Sequence, residues 1–196
     1  MKRFAKPALF LLCLIPLARL IYLAVTDDLG ANPIEFITRS TGTWTLVGLL
    51  LTLSITPLRS ITQRNDLIKY RRMLGLFAFF YASLHFTTYI WLDQFFDLAG
   101  VAKDIVKRPF ITVGFAAFLL LLPLAFTSTN AMIRRLGRRW QQLHRVVYAI
   151  ASLGVLHYLW LVKKDITQPA IYGLVLCVLL AFRLPTVAAA LKSRRW

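Results

Sequence analysis

The sequence predicts an all-α integral membrane protein: one domain over residues 1–196, a bundle of six transmembrane helices with both termini in the cytoplasm. Three observations predict it. The first is composition: 58% of the 196 residues are apolar and 16% charged, where a soluble domain carries about 45–50% and about 25%. Too few polar residues remain to cover a soluble core, and the same numbers exclude a disordered chain. The second is a set of six apolar stretches, roughly 7–25, 43–58, 73–92, 109–127, 146–162 and 169–187. The third is the placement of the charge between them.

Most of these stretches approach or reach the ~20 residues that cross ~30 Å of hydrocarbon at ~1.5 Å per residue. The first follows Lys2, Arg3 and Lys6. A basic start before an apolar run also marks a signal peptide. This run, however, contains Pro16 and Arg19 and shows no small-x-small cleavage site before Asp27, so it reads as a retained first helix. The second stretch contains the nearly unbroken apolar run 46–53. The third carries His85 and ends among Tyr89, Trp91, Phe95 and Phe96, which read as an interfacial aromatic belt. The fourth contains the apolar run 113–126. The fifth has His144 at its entry and His157 inside it, and the sixth carries Cys177. Period-two alternation is absent, which argues against a transmembrane barrel and leaves helices as the way to satisfy the backbone in lipid. No repeat is visible in the residue order.

The net charge is +16, from 24 Lys+Arg against 8 Asp+Glu. In a soluble protein this would indicate nucleic acid, but the charges are sided. Seventeen cations lie at the N-terminus, in the second and fourth connectors and at the C-terminal end; six lie on the opposite side and Arg19 lies within a span. Seven of the eight acids, all but Asp66, take the opposite side. The positive-inside rule places the cation-rich side in the cytoplasm. The charge is topological, the partner it implies is membrane lipid, and no nucleic acid is expected.

All three histidines, His85, His144 and His157, fall in or at the edge of apolar spans. One imidazole there can be a helix-to-helix hydrogen bond; three, in a chain with no others, indicate a functional site. The third and fifth segments run in the same direction. His85 follows the pair Arg71-Arg72 by 13 to 14 residues, and His157 follows His144 by 13. Thirteen helical residues rise about 20 Å. His85 and His157 should therefore share a depth in the outer half, and His144 should share one with Arg71 and Arg72 near the inner surface. Two facing imidazoles can clamp one planar metal centre, and b-type haem is the natural candidate. A zinc site wants four ligands; the acids lie in connectors, and Cys13 and Cys177 read as packing residues.

The inner level is open to several readings. It could hold a second haem with one protein ligand, a flavin phosphate, or lipid headgroups alone. Arginine stays protonated and is a poor iron ligand, but it suits propionate or phosphate. Snorkelling to lipid is the ordinary role of Arg71, Arg72, Arg138 and Arg139. Arg19, deeper in its segment, would reach a propionate or a carbonyl. Neither G-x-G-x-x-G nor G-x-x-x-x-G-K-[ST] occurs, so electrons must come from another protein or a lipid-soluble carrier. No catalytic residue is expected; the redox chemistry would belong to the cofactor.

The stretch Thr127-Ser128-Thr129-Asn130-Ala131-Met132, with Leu136-Gly137, Arg139-Trp140-Gln141-Gln142-Leu143-His144 and Val147-Tyr148, resembles the MsrQ (YedZ) family. Thr56-Pro57-Leu58, Arg71-Arg72-x-Leu74-Gly75-Leu76, Leu84-His85, Arg108-Pro109 and His157-Tyr158-Leu159-Trp160 add shorter matches. The resemblance implies a ferric-reductase-like six-helix domain in the bacterial inner membrane. It implies haem b, one or two, and FMN. It implies electron transfer from the quinone pool or a cytoplasmic flavin reductase to MsrP, a periplasmic molybdopterin-containing subunit that repairs methionine sulfoxide in proteins. By motif, His85, His144 and His157 become the haem-associated histidines. The wider ferric reductase and NADPH oxidase group pairs two histidines on each of two helices, whereas here Arg71 or Arg72 stands in one of those places. The connector 93–108 becomes the candidate docking surface. The alternatives are a non-redox membrane anchor or small transporter, and a quinone-binding respiratory subunit.

Overall fold

The computed structural model describes residues 4–184. Lys2, Arg3, Lys192, Arg194 and Arg195, and the sixth stretch beyond 184, lie outside the described residues. Within them every regular element is helical: α1 (Ala5–Val25), α2 (Pro33–Thr62), α3 (Ile68–Thr88), α4 (Leu98–Lys107), α5 (Pro109–Phe126), α6 (Asn130–Leu136), α7 (Arg138–Leu143), α8 (Val147–Leu161) and α9 (Thr167–Ala181). A π-helical turn, Tyr89–Asp93, extends α3, and a 3-10 turn, His144–Val146, leads into α8.

Helix α2 starts at Pro33, well before the apolar run that marks it in the sequence. Its first turns mix Ile34, Phe36 and Ile37 with Glu35, Arg39 and the polar run 38–43, so hydropathy alone misses them. The start is set by chemistry: the Asn32 side chain accepts from the Glu35 amide at 3.2 Å, and Pro33 fills the position where no amide is needed. Pro109 opens α5 in the same way, after Arg108 in extended backbone. The connectors are also helical. Asp97 caps α4 through the Gly100 amide, and Thr129 caps α6 through the Met132 amide.

Four helical stretches are long and apolar enough to cross a membrane: Ala5–Val25, Pro33–Thr62, Asn65–Asp93 and Pro109–Phe126. Helices α8 and α9 are apolar but have 15 residues each. The bundle is built from two antiparallel pairs, α2 with α3 and α5 with α8, brought together so that α3 and α8 are parallel. The core runs along the seam: Leu46, Leu49 and Leu53 of α2, Ala78 and Ala82 of α3, Leu121 and Leu124 of α5, and Ile150 and Ala151 of α8. Small residues let backbones approach; a Cβ on Gly48 would sit 3.0 Å from the Cβ of Ala78. Outward-facing Phe10, Leu11, Leu12, Ile15 and Tyr22 leave α1 apolar on its exposed side. In water such a surface would be a liability, whereas lipid solvates it.

Candidate functional site

The seam between the two helix pairs holds two imidazoles. His85 on α3 and His157 on α8 have ring centres 6.1 Å apart and ring planes at 75°. Their matching spacing from the basic residues predicts that these two histidines share a level, and the structure brings their rings together. Each ring is held from behind by a different helix. His85 Nδ1 lies 2.9 Å from the Thr38 carbonyl oxygen on α2, and His157 Nδ1 lies 2.7 Å from the Phe110 carbonyl oxygen on α5. A carbonyl can only accept, so the proton sits on Nδ1 in both rings. The lone pair is left on Nε2, the tautomer of an imidazole ready to bind a metal.

The spacing suits one metal ion between them. A metal held by both Nε2 atoms at about 2 Å would put the ring centres about 6.3 Å apart. A buried hydroxyl, Thr38 Oγ1, has no hydrogen-bond partner among the described residues. No group of three or more His, Cys, Asp or Glu side chains gathers there to form a polydentate metal cage. The donor set is two neutral nitrogens in an apolar seam, which fits a haem iron and does not fit structural zinc.

His144 is built differently. Its ring stacks on Trp140 with centres 3.9 Å apart, and Trp140 Nε1 donates to the Thr127 carbonyl at 2.9 Å. The Thr127 hydroxyl lies 2.6 Å from the Pro123 carbonyl oxygen and 3.1 Å from His144 Nε2. The hydroxyl has one proton, and the Pro123 carbonyl takes it. Nε2–H of His144 therefore donates to Thr127, and Nδ1 carries the lone pair. Burial first, and the nearby Arg71 guanidinium second, push the His144 pKa down to about 4, so the ring is neutral at neutral pH.

A cavity of about 200 Å³ opens at this level, lined by apolar side chains of α2, α3 and α5 and by Arg71, Arg72, Ser128, Trp140 and His144. His144, Arg71 and Arg72 thus line one cavity. Arg72 also donates to the Asn130 side chain at the start of α6. Arg19 does not join either histidine site. It is exposed on α1, its guanidinium 5.9 Å from the centre of the Phe36 ring. Cys13 and Cys177 lie on α1 and α9, apart from the imidazoles.

Sequence reasoning missed the groups that hold the rings: the carbonyls of Thr38 and Phe110, and the Thr127–Trp140 support of His144. Backbone acceptors leave no signature in residue type. It also missed Arg183, which donates to Tyr148 Oη at 3.0 Å and to the Leu53 carbonyl at 2.9 Å, tying the end of α9 to α8 and α2.

The model of the family described as ferric reductase like transmembrane component matches residues 41–155, taking in His85 and His144 and ending two residues before His157. A protein-methionine-sulfoxide reductase heme-binding subunit MsrQ from Herminiimonas arsenicoxydans is 62% identical over 181 residues, covering 91% of this chain and 83% of the relative. The chain belongs to the MsrQ family. The MsrQ of Ralstonia nicotianae is 58% identical, over 92% of this chain and 85% of its own length. That of Rhodospirillum rubrum is 51% identical, over 98% and 93%. No solved structure was found to match. Family and helices together make this MsrQ-family chain a multi-pass membrane protein.

Proposed function

We propose that this chain is a haem b-containing electron-transfer subunit of the bacterial inner membrane. It would pass electrons from the quinone pool or a cytoplasmic flavin reductase to the periplasmic catalytic subunit MsrP, for repair of methionine sulfoxide in proteins. The observation that carries the reading is the His85–His157 pair: ring centres 6.1 Å apart and both Nδ1 atoms committed to carbonyls. The printed names of the relatives, heme-binding subunits of a methionine sulfoxide reductase, point the same way.

His85 and His157 would hold the haem iron. The carbonyls of Thr38 and Phe110 keep their protons on Nδ1, and the Thr38 hydroxyl, without a partner among the described residues, would be free to donate to the group. A bound haem supplies one-electron chemistry at its iron. The protein's part is to hold the ligands, exclude water from the seam and set the distance to the next carrier.

The inner cavity would take a second anionic cofactor, with Arg71 and Arg72 meeting a propionate or phosphate and His144 offering Nδ1. A second haem and FMN share that chemistry. They separate by cofactor extraction, one as a b-type spectrum and the other as released flavin. Arg19 would act at the outer rim or on lipid.

Six crossings with cytoplasmic termini complete the proposal. Four candidate spans support it, together with the apolar α8 and α9 and the sidedness of the cations. Helix α4 and the turn before it, within 93–108, would face the periplasmic partner, about two helical turns beyond His85. The test is electron delivery. Chemically reduced protein in liposomes should be reoxidised when oxidised MsrP is added outside. A reduced protein that stays reduced with active MsrP present would refute the proposed role.

A further inference from the structure

The two histidine supports are copies of one arrangement. Residues 38, 42 and 85 correspond to residues 110, 114 and 157, each at an offset of 72. In the first, His85 donates to the Thr38 carbonyl, and a Cβ on Gly42 would lie 3.0 Å from His85 Cε1 and 3.1 Å from its Nδ1. In the second, His157 donates to the Phe110 carbonyl, and a Cβ on Gly114 would lie 2.6 Å from His157 Nδ1 and 2.9 Å from its Cε1. The cause is helical geometry. Residues i and i+4 lie one above the other, and each Cα–Cβ bond tilts toward the helix N-terminus. A ring that approaches the carbonyl of residue i from the side therefore occupies the space into which a Cβ at i+4 would project. Glycine at i+4 is what lets the contact form.

We propose that Gly42 and Gly114 are positioning residues for the two axial imidazoles, fixing each ring plane through the carbonyl one turn earlier. This rests on the reading of His85 and His157 as haem ligands. The consequence is electronic. Ring planes at 75° are close to perpendicular, and the mutual angle of two axial imidazoles governs the anisotropy of a low-spin ferric haem. Gly42 and Gly114 would thereby set the ferric spectrum and the midpoint potential through the two rings.

The two positions should respond unequally. At Gly114 the added methyl would lie inside any real contact distance and would push directly on Nδ1. At Gly42 it is tight, but a shift of a few tenths of an ångström relieves it. Elsewhere in a helix alanine is the better residue, so a loss on this substitution would not come from helix propensity. Gly173→Ala on α9 is the control, since its Cβ would meet only Val155 at 3.5 Å.

The experiment compares wild type, Gly42→Ala, Gly114→Ala and Gly173→Ala as purified full-length protein. The readouts are haem per chain, low-temperature EPR of the ferric form and redox titration. Gly114→Ala should weaken haem retention on the order of tenfold to a hundredfold, the usual effect of disturbing a ligand's support. Gly42→Ala should keep its haem but shift both the EPR signal and the midpoint potential. Gly173→Ala should match wild type. If Gly114→Ala does not accumulate, Gly42→Ala decides. Haem-loaded wild type with Gly42→Ala unchanged in signal and potential would overturn this proposal alone; haem-free wild type would overturn both it and the reading beneath it.

Discussion

The Tyr81 hydroxyl is inserted into the backbone of α1: it donates to the Cys13 carbonyl at 2.7 Å and accepts from the Leu17 amide at 3.3 Å. Pro16 lies between those residues and lacks the amide that would bond Leu12. The ladder is loosened there, and a phenol from α3 bridges the opening. Tyr81 is buried while most of α1 faces outward, so this contact is the main polar tie between α1 and the bundle.

Tyr81→Phe should therefore lower stability by about 1 kcal/mol, the net value of one such bond. Thermal unfolding in detergent should show a modest fall in Tm with the haem spectrum unchanged, because the phenol ring stays in place and neither imidazole bonds to its hydroxyl. An unchanged Tm would mean that α1 is held by packing alone.

Tyr148→Phe should cost more, about 2 kcal/mol. It removes an acceptor from the Arg183 guanidinium, whose Nε already has no partner among the described residues, and bonds to charged groups are the stronger class. The ordering of the two variants is the prediction. A Tyr148→Phe protein as stable as wild type would show that Leu53 alone satisfies Arg183.

Much of this was legible in the sequence. His85 and His157 face each other in the seam, and a count of residues from the basic pairs brings them to one level, because a helix converts sequence distance to height almost without freedom. The same count grouped His144 with Arg71 and Arg72. The beginning of α2 was not legible from hydropathy, since Glu35, Arg39 and the polar run 38–43 interrupt its apolar residues and its start depends on Asn32 and Pro33. Nor were the supports of the rings, because an acceptor carbonyl can belong to any residue. The matching offset of Gly42 with Gly114 and His85 with His157 was present in the numbering, but it gains meaning only when the helices are seen side by side.

His144→Ala should separate the two levels. It leaves the Thr38 and Phe110 contacts intact, so the outer spectral component should persist while any inner component is lost. Thr127→Val should have a milder effect in the same direction, since Trp140 still stacks on the ring. Loss of all haem on His144→Ala would contradict the separation.

Removing the cofactor should destabilise the fold by linkage. A ligand present at about 1,000 times its Kd stabilises by about 4 kcal/mol, so protein from haem-depleted cells should melt several degrees below the loaded form. His85→Ala and His157→Ala should fall to the same lowered Tm whether or not haem is supplied. A melting temperature indifferent to haem would contradict a cofactor bound in the seam.

The most direct test of the central claim is a reduced-minus-oxidised absorption spectrum of detergent-purified protein, with haem quantified per chain, for wild type, His85→Ala, His144→Ala and His157→Ala. Wild type should show a b-type spectrum, abolished at the His85–His157 site by His85→Ala and by His157→Ala, and partly retained in His144→Ala. Wild-type protein without haem after haem-replete expression, or a full spectrum surviving both outer substitutions, would contradict it.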